Sequence, residues 1–373
     1  MLSYRFVIPG LWNGGGPRNV YTLSGCLRKK GYDSSLLVFT DLTKVPAVIG
    51  GRSTTPNLAD ARVRFLVSPV GLINQTLWKV SQKSSLFIPH QLIASTLSLM
   101  AVAEPTCYIA SAWQTVFPVF RVAQLVRKPA LYFVQAYEPT FALRRIHEYF
   151  ANRTYLYPIV RFSQSAWLAR FLDSNCAGKT YYLGMGINHH DFCPPKNLEY
   201  KRRIVTVARW DVNKGFNIFV QAIKHLRKIR NDFEVVIIGE KQALDMQNID
   251  FPYKFAGWIS KDSELASYYQ GSIFVNTGIH EALPMPPIEA MACGATVVMT
   301  DMEGAKEYTI DHENCLLAPI GNARSVANCL SEALSSDQLR EKLSTNAILT
   351  ANRYTWEAVT TNFENMVKNE GIA

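Results

Sequence analysis

Residues 204–238 read IVTVARWDVNKGFNIFVQAIKHLRKIRNDFEVVII. Ile204–Val207 is a short apolar run with β-branched residues, which predicts a buried strand. Phe216–Ile229 carries apolar residues at helical spacing, and Glu234–Ile238 is a second apolar run. Strand, loop, helix, strand is the repeat of a parallel doubly wound α/β sheet. Further strands are expected at Lys254–Ala256, Ile273–Asn276 and Thr296–Thr300, with helices at Pro287–Cys293 and Arg324–Ser335 between them.

Upstream, the same series starts independently. Arg5–Ile8 predicts a strand, Pro9–Pro17 a loop, Arg18–Lys30 a helix stopped by Gly31, and Ser35–Phe39 the next strand. Residues 41–60 are polar with scattered Gly and Pro and read as a loop. Strands follow at Arg64–Val67, Thr106–Ile109, Ala130–Val134 and Arg161–Ser163, and a helix at Ala166–Ser174. Residues 184–200 read as a linker. The fold expected is therefore α/β, with two doubly wound domains facing across a cleft: residues 1–185, and residues 200–354. The last segment, about 355–373, predicts an amphipathic helix that crosses back onto the first domain.

Composition agrees. A chain of 373 residues with 48% hydrophobic and 18% charged residues suits two globular domains. Its net charge of +9 is uneven: residues 1–180 carry 20 Lys and Arg against 7 Asp and Glu, residues 181–373 carry 19 against 23. A basic half suits anionic lipid or a phosphorylated substrate. No nucleic-acid module is evident, so nucleic acid is not an expected partner. The seven cysteines form no C-x-x-C pair and the histidines show no ligand spacing, so buried free thiols and no metal are expected. No leader is evident after Met1, and no apolar run reaches the ~18 residues a membrane span needs. A cytoplasmic protein, peripheral at the inner face of the membrane, is the expectation.

Two stretches carry chemistry. In Arg209-Trp-Asp-Val-Asn-Lys214-Gly215, two cations sit between a strand and a helix start. Cations and exposed N–H groups together suit a pyrophosphate. In Glu281-Ala-Leu-Pro-Met-Pro-Pro-Ile-Glu289-Ala-Met-Ala-Cys-Gly294, two carboxylates lie eight positions apart, one in a loop and one in the first turns of a helix. Ionised carboxylates only accept hydrogen bonds, which suits a ligand rich in hydroxyls.

The stretch from Asn276 to Thr300 resembles the donor-binding region of glycosyltransferase family 4 and its retaining relatives of the GT-B fold. The pattern is Glu, seven residues, Glu, then Ala-Met-Ala-x-Gly before a strand. Arg209 and Lys214-Gly215 upstream, and Asp301-Met-Glu-Gly304 downstream, extend it over residues 200–356. The resemblance implies a nucleotide-diphosphate sugar as donor substrate, no cofactor and no metal. It implies that Arg209 and Lys214 bind the donor diphosphate and that Glu281 meets the transferred sugar, these three being the catalytic set. The amides of Leu283 and Met285 would hold sugar or phosphate, Glu289 the ribose, and the segment around Trp258 the base. In the first half, Gly14-Gly15-Gly16 matches the family's glycine-rich loop, where missing side chains let backbone N–H groups approach a phosphate. Gly15 and Gly16 are the donor contacts implied there.

The sequence also departs from the pattern. Ala282 and Pro284 stand where glycines are usual, Ala208 precedes the clamp Arg, and Gln135 follows a strand where many relatives carry His. Gln135 and Glu138, in Gln135-Ala-Tyr-Glu138-Pro139, are the acceptor-side candidates, and this string is similar to some bacterial rhamnosyltransferase-like members. The expected activity is transfer of a sugar with retention to a glycan or lipid-linked acceptor in polysaccharide biosynthesis. An inverting transferase using Glu138 as base, and a nucleotide-sugar-binding subunit without turnover, are the alternatives.

Overall fold

The computed structural model describes residues 2–10, 15–40, 62–67, 87–141, 145–176 and 178–372. The predicted loop at 41–60 and Gly14 lie outside them. The chain divides into two compact units, Met1–Gly184 with Trp356–Ala373, and Met185–Thr355.

The first unit is built on strands β1 (Ser3–Ile8), β2 (Asp33–Thr40), β3 (Val63–Val67), β4 (Cys107–Ala110), β5 (Ala130–Val134), β6 (Val160–Ser163) and β7 (Thr180–Tyr182). They form one sheet in the order β3-β2-β1-β4-β5-β6-β7, every pair parallel. Its helices are α1 (Gly15–Lys29), α2 (Phe87–Met100), α3 (Trp113–Val126), α4 (Arg145–Thr154), α5 (Ala166–Asn175) and, from the chain's end, α12 (Trp356–Asn369). β4 and β5 are buried along their whole length, as strands covered by helices on both faces must be. α12 belongs to this core: Val359, Phe363, Met366 and Val367 pack among Tyr4, Leu23, Leu27 and Phe162. Glu364 pins its polar face, accepting from Lys30 at 2.7 Å and from the Tyr32 hydroxyl at 3.0 Å.

The first helix starts earlier than expected, at Gly15 rather than Arg18. Gly15, Gly16 and Pro17 form its first turn. Poor helix formers cost little there, because the first N–H groups have no intrahelical partner. The apolar run at Leu92–Ala103 is mostly α2. Among the described residues, no helix is long and apolar enough to cross a membrane.

The second unit contains β8 (Arg203–Ala208), β9 (Glu234–Gly239), β10 (Lys254–Gly257), β11 (Ile273–Asn276), β12 (Thr296–Thr300) and β13 (Leu316–Ala318). The sheet order is β10-β9-β8-β11-β12-β13, again all parallel. Its helices are α6 (Phe216–Arg227), α7 (Lys241–Asp245), α8 (Asp262–Tyr269), α9 (Met285–Ala292), α10 (Ala323–Ser335) and α11 (Asp337–Ala351). α6 buries Phe219, Ile223 and Leu226 on one stripe against the same core as Val326 and Leu330 of α10. At ~1.5–3 kcal/mol per buried side chain, such stripes bind helices to the sheet. Strand order reverses between β8 and β11, and the crevice beyond the C-terminal ends at such a reversal is where open α/β sheets bind ligands. All seven cysteines are free. Against expectation Cys193 is exposed, while Cys107, Cys293 and Cys315 are buried.

Candidate functional site

Three adjacent strands of the second sheet end in side chains that meet. Arg209 follows β8, Glu240 follows β9 and Trp258 follows β10. The Arg209 guanidinium donates to Glu240 Oε1 at 2.8 Å, and the Trp210 N–H donates to Glu240 Oε2 at 3.1 Å. The opposite interest of the guanidinium is the Trp258 ring, whose centroid lies 4.3 Å away. Trp258 is 41% exposed, so it is a surface platform and not part of the core. A planar cation over an indole face is a favourable cation–π pair.

Lys214 is brought to Glu281 by stitching two loops that are far apart in sequence. Asp211 caps the 3₁₀ turn Val212–Lys214 by accepting from the Asn213 N–H at 2.9 Å. Gly215 then turns the chain into α6 with φ of 63°. A Cβ at Gly215 would lie 1.9 Å from the carbonyl oxygen of Thr277, so only glycine allows the two loops this approach. The Thr277 hydroxyl donates to the Gly215 carbonyl at 2.8 Å, and the Ile279 N–H to the Asn213 carbonyl at 2.7 Å. Held in this way, Lys214 Nζ lies 2.5 Å from Glu281 Oε2.

Glu281 is the buried partner: its side chain is 8% exposed and that of Lys214 37%. Asn276, the last residue of β11, donates from Nδ2 to Glu281 Oε1 at 3.3 Å while its Oδ1 accepts from the Gly278 N–H at 2.7 Å. The Tyr308 hydroxyl donates to the Pro284 carbonyl at 3.2 Å and fixes the turn after Glu281. Burial, reinforced by the nearby Glu281 charge, pushes the Tyr308 phenol well above its ordinary range and keeps it a donor.

That turn leads into α9 through Pro284, Met285, Pro286 and Pro287. Proline has no N–H, so among Pro284, Met285, Pro286 and Pro287 only Met285 offers an amide, and the Leu283 amide lies just before them. Glu289 is buried one turn further along α9. Arg209, Lys214, Trp258, Glu281, Leu283, Met285 and Glu289 thus all lie on the loops and helix that leave the C-terminal ends of β8, β10 and β11. Glu240, Asn276 and Tyr308 were not legible as partners beforehand, because strand order and not sequence spacing brings them in. Among the described residues, no group of three or more His, Cys, Asp or Glu side chains could hold a metal ion.

The remaining candidates lie in the first unit. Gly15 and Gly16 open α1, and a Cβ at Gly16 would lie 3.6 Å from the Gln135 amide. Asn19 of α1 donates from Nδ2 to Gln135 Oε1 at 3.3 Å and to Gln164 Oε1 at 3.0 Å. Gln164 Nε2 in turn donates to the Gln135 carbonyl at 3.3 Å. Glu138 turns the other way. Its carboxylate accepts from the Tyr132 hydroxyl and from the Trp113 N–H at the start of α3, whose own N-cap, Ala112, offers no side-chain cap. Burial pushes the Glu138 carboxyl up to about 7, against the lowering pull of those two donors.

Residues 192–350 match the family described as "Glycosyl transferases group 1". A phosphatidyl-myo-inositol mannosyltransferase from Propionibacterium freudenreichii is 24% identical over 378 residues, 95% of this chain and 90% of that one. Most of the second unit is thus similar in sequence to the group 1 glycosyltransferases. A lipopolysaccharide 1,2-N-acetylglucosaminetransferase from Salmonella typhimurium is 26% identical over 182 residues, 44% of this chain and 48% of that one. Solved structures share its fold throughout. A sucrose-phosphate synthase from Thermosynechococcus elongatus superposes with a TM-score of 0.75 at 18% identity, covering 99% of each chain. HepE from Anabaena, solved in complex with UDP, superposes with a TM-score of 0.71 at 14% identity, covering 99% of this chain and 100% of that one. The fold of this chain is thus the two-domain α/β fold of the GT-B class. The family match spans the whole Arg209–Lys214–Glu281–Glu289 set and leaves the first unit outside it.

Proposed function

We propose that the second unit binds a nucleotide-diphosphate sugar and that the chain transfers the sugar, with retention, to a glycan or lipid-linked acceptor addressed by the first unit. The observation that carries this is the Lys214–Glu281 pair: a half-exposed cation for a diphosphate beside a buried acceptor-only carboxylate for sugar hydroxyls. Arg209 and Lys214 take up the charge that develops as the bond between the anomeric carbon and the diphosphate oxygen breaks. The acceptor hydroxyl oxygen bonds to that carbon on the face the diphosphate leaves, and its proton passes to the departing phosphate oxygen. The amides of Leu283 and Met285 donate to the sugar or phosphate, Glu289 accepts from the ribose, and the outer face of Trp258 receives the base. Retention needs no protein base. A base drawn from Glu138 would first have to leave Tyr132 and Trp113.

Relatives named for lipid-borne acceptors support the acceptor class, among them an N,N'-diacetylbacillosaminyl-diphospho-undecaprenol transferase from Campylobacter jejuni, 27% identical over 160 residues. Peripheral contact with an anionic membrane fits the basic first half and the exposed Ile93, Leu97 and Met100, which share one face of α2. Sedimentation with anionic but not zwitterionic vesicles is the expected behaviour, and none with either would remove this element. The transfer itself is tested by supplying nucleotide sugars with alkyl glycosides and reading the product anomer by NMR. An α-linked donor giving an α-linked product is expected. A β-linked product would overturn retention while keeping the transferase.

A further inference from the structure

Asn276 ends β11 and carries a side-chain amide whose direction is settled by one group that can only donate. The Gly278 N–H meets it at 2.7 Å, so that end of the amide is the oxygen, Oδ1. The nitrogen, Nδ2, must then face the other way, and it lies 3.3 Å from Glu281 Oε1. Gly278 leaves room for both side chains: a Cβ there would lie 2.5 Å from Glu281 Oε1 and 3.0 Å from Asn276 Oδ1. The Gly278 carbonyl is fixed from β12, where it accepts from the Thr300 hydroxyl. Each oxygen of Glu281 thus has a donor, Asn276 at Oε1 and Lys214 at Oε2. The two donors are held differently. The Lys214 side chain is 37% exposed and comes from the loop after β8. Asn276 is half-buried and belongs to a strand paired on both sides.

We propose that Asn276 is a positioning residue for the transfer: its amide nitrogen holds Glu281 Oε1 in place for the sugar while Lys214 turns to the diphosphate. The inference rests on the transferase reading given above. A cation shared with the ligand cannot also fix the carboxylate, so during turnover the orientation of Glu281 falls to the donor on the strand. Groups set on strands are held more precisely than groups on loops. Asn276 does not touch the substrate and acts only through Glu281. Being neutral, it leaves the competition between Glu281 and the diphosphate for Lys214 as it is. A misplacement of about 1 Å in a positioned group costs on the order of a hundredfold in rate.

Asn276→Asp separates this role from a structural one. The introduced carboxyl still accepts from the Gly278 N–H, so the turn is kept, but Glu281 now meets an acceptor where a donor stood. The assay follows release of nucleoside diphosphate from UDP-glucose, UDP-N-acetylglucosamine or GDP-mannose, with octyl β-glucoside or octyl α-mannoside as acceptor. At about pH 8 kcat should fall about tenfold or more, with donor KM changed less than about threefold. Two facing carboxyl groups take up a shared proton more readily than one alone, and that proton restores a donor at this place. The deficit should therefore shrink to about threefold near pH 6. The ionisable neighbours of the pair, Lys214 at Oε2 and the buried Tyr308 phenol, are the same in wild type and variant. Asn276→Ala loses the donor without adding a charge, so it should show the fall in kcat without the recovery. A kcat for Asn276→Asp within about twofold of wild type, a deficit that ignores pH, or a loss carried wholly by donor KM would each overturn the proposal. If Asn276→Asp does not fold, the split of Asn276→Ala decides, and a retained kcat overturns it. A wild type that releases no diphosphate from any of these donors is a failure of the wild type and not of the variants: it overturns the transferase reading, and the proposal with it.

Discussion

Glu281→Gln should strengthen diphosphate binding while stopping transfer, which separates two roles that a plain loss of function would blur. Lys214 Nζ and Glu281 Oε2 are 2.5 Å apart, and the carboxylate is 8% exposed. Two unit charges at about 4 Å attract by ~4 kcal/mol at an effective dielectric of 20. Solvent reaches over a third of Lys214, so the net coupling is nearer ~1–3 kcal/mol. A diphosphate arriving at Lys214 must offset part of that coupling, because it competes with Glu281 for the same ammonium. The amide in Glu281→Gln keeps the shape and the contact with Asn276 but removes the competing charge. Pyrophosphate and the cognate nucleotide diphosphate should then bind up to about tenfold more tightly by titration calorimetry, the equivalent of ~1.4 kcal/mol. Transfer should fall about a hundredfold or more, because the acceptor-only group at the sugar is gone. Lys214→Met should do the reverse to binding, weakening it roughly 10–100-fold as a charge-assisted contact is lost. If Glu281→Gln weakened diphosphate binding as much as Lys214→Met, Glu281 would not be a competitor for that lysine and the division of roles would be wrong.

Three further outcomes follow from the geometry. Gly304→Ala places a Cβ 2.1 Å from the Glu281 carbonyl oxygen and 2.5 Å from that of Ala282, so the loop must move. A loss of ~1–3 kcal/mol in denaturant unfolding and a fall in transfer should appear together, and a variant with wild-type stability would show the approach to be looser than described. Trp258→Ala removes the stack under Arg209, worth ~0.5–1 kcal/mol at an exposed site, so nucleotide diphosphate should bind about two- to fivefold more weakly; unaltered binding would leave Trp258 without a role at the donor. The Glu138 carboxyl, raised from 4.5 to about 7, holds its proton longer in the folded state than in the unfolded one. Its contribution is therefore fully present below pH 4.5 and is lost as pH rises towards 7, on the order of 2 kcal/mol once the partial solvent exposure of this residue is allowed for. The melting temperature of wild type relative to Glu138→Gln should fall across that window, and parallel pH profiles would refute the assignment.

Five strands of the second sheet were legible as short runs ended by a glycine or a polar loop, whereas β13, only three residues long, was not. Arg209, Lys214 and Glu281 could be singled out because charged residues in the loops after such runs fall at the C-terminal ends of parallel strands. Their partners were not legible. Glu240 meets Arg209 only because β9 lies beside β8, and Asn276 meets Glu281 only through an Asx turn closed by Gly278. In the first unit, Gly15-Gly16-Pro17 reads as a loop by propensity, and tertiary packing of α1 overrides it. Asn19 and Gln164 had no signal at all: one lies within a helix and the other after a strand, 145 residues apart. Long-range amide contacts of this kind leave no periodic trace in a single sequence.

The most direct test of the central claim is a thermal-shift panel of UDP, GDP, dTDP, ADP and CMP on wild type and Lys214→Ala. A ligand that binds only the folded state raises the melting temperature by mass action. The account predicts that one nucleoside diphosphate stabilises wild type and that Lys214→Ala loses most of that shift. If no nucleotide stabilised wild type, or if the variant responded equally, the site at the switch point of the second sheet would not be the donor site.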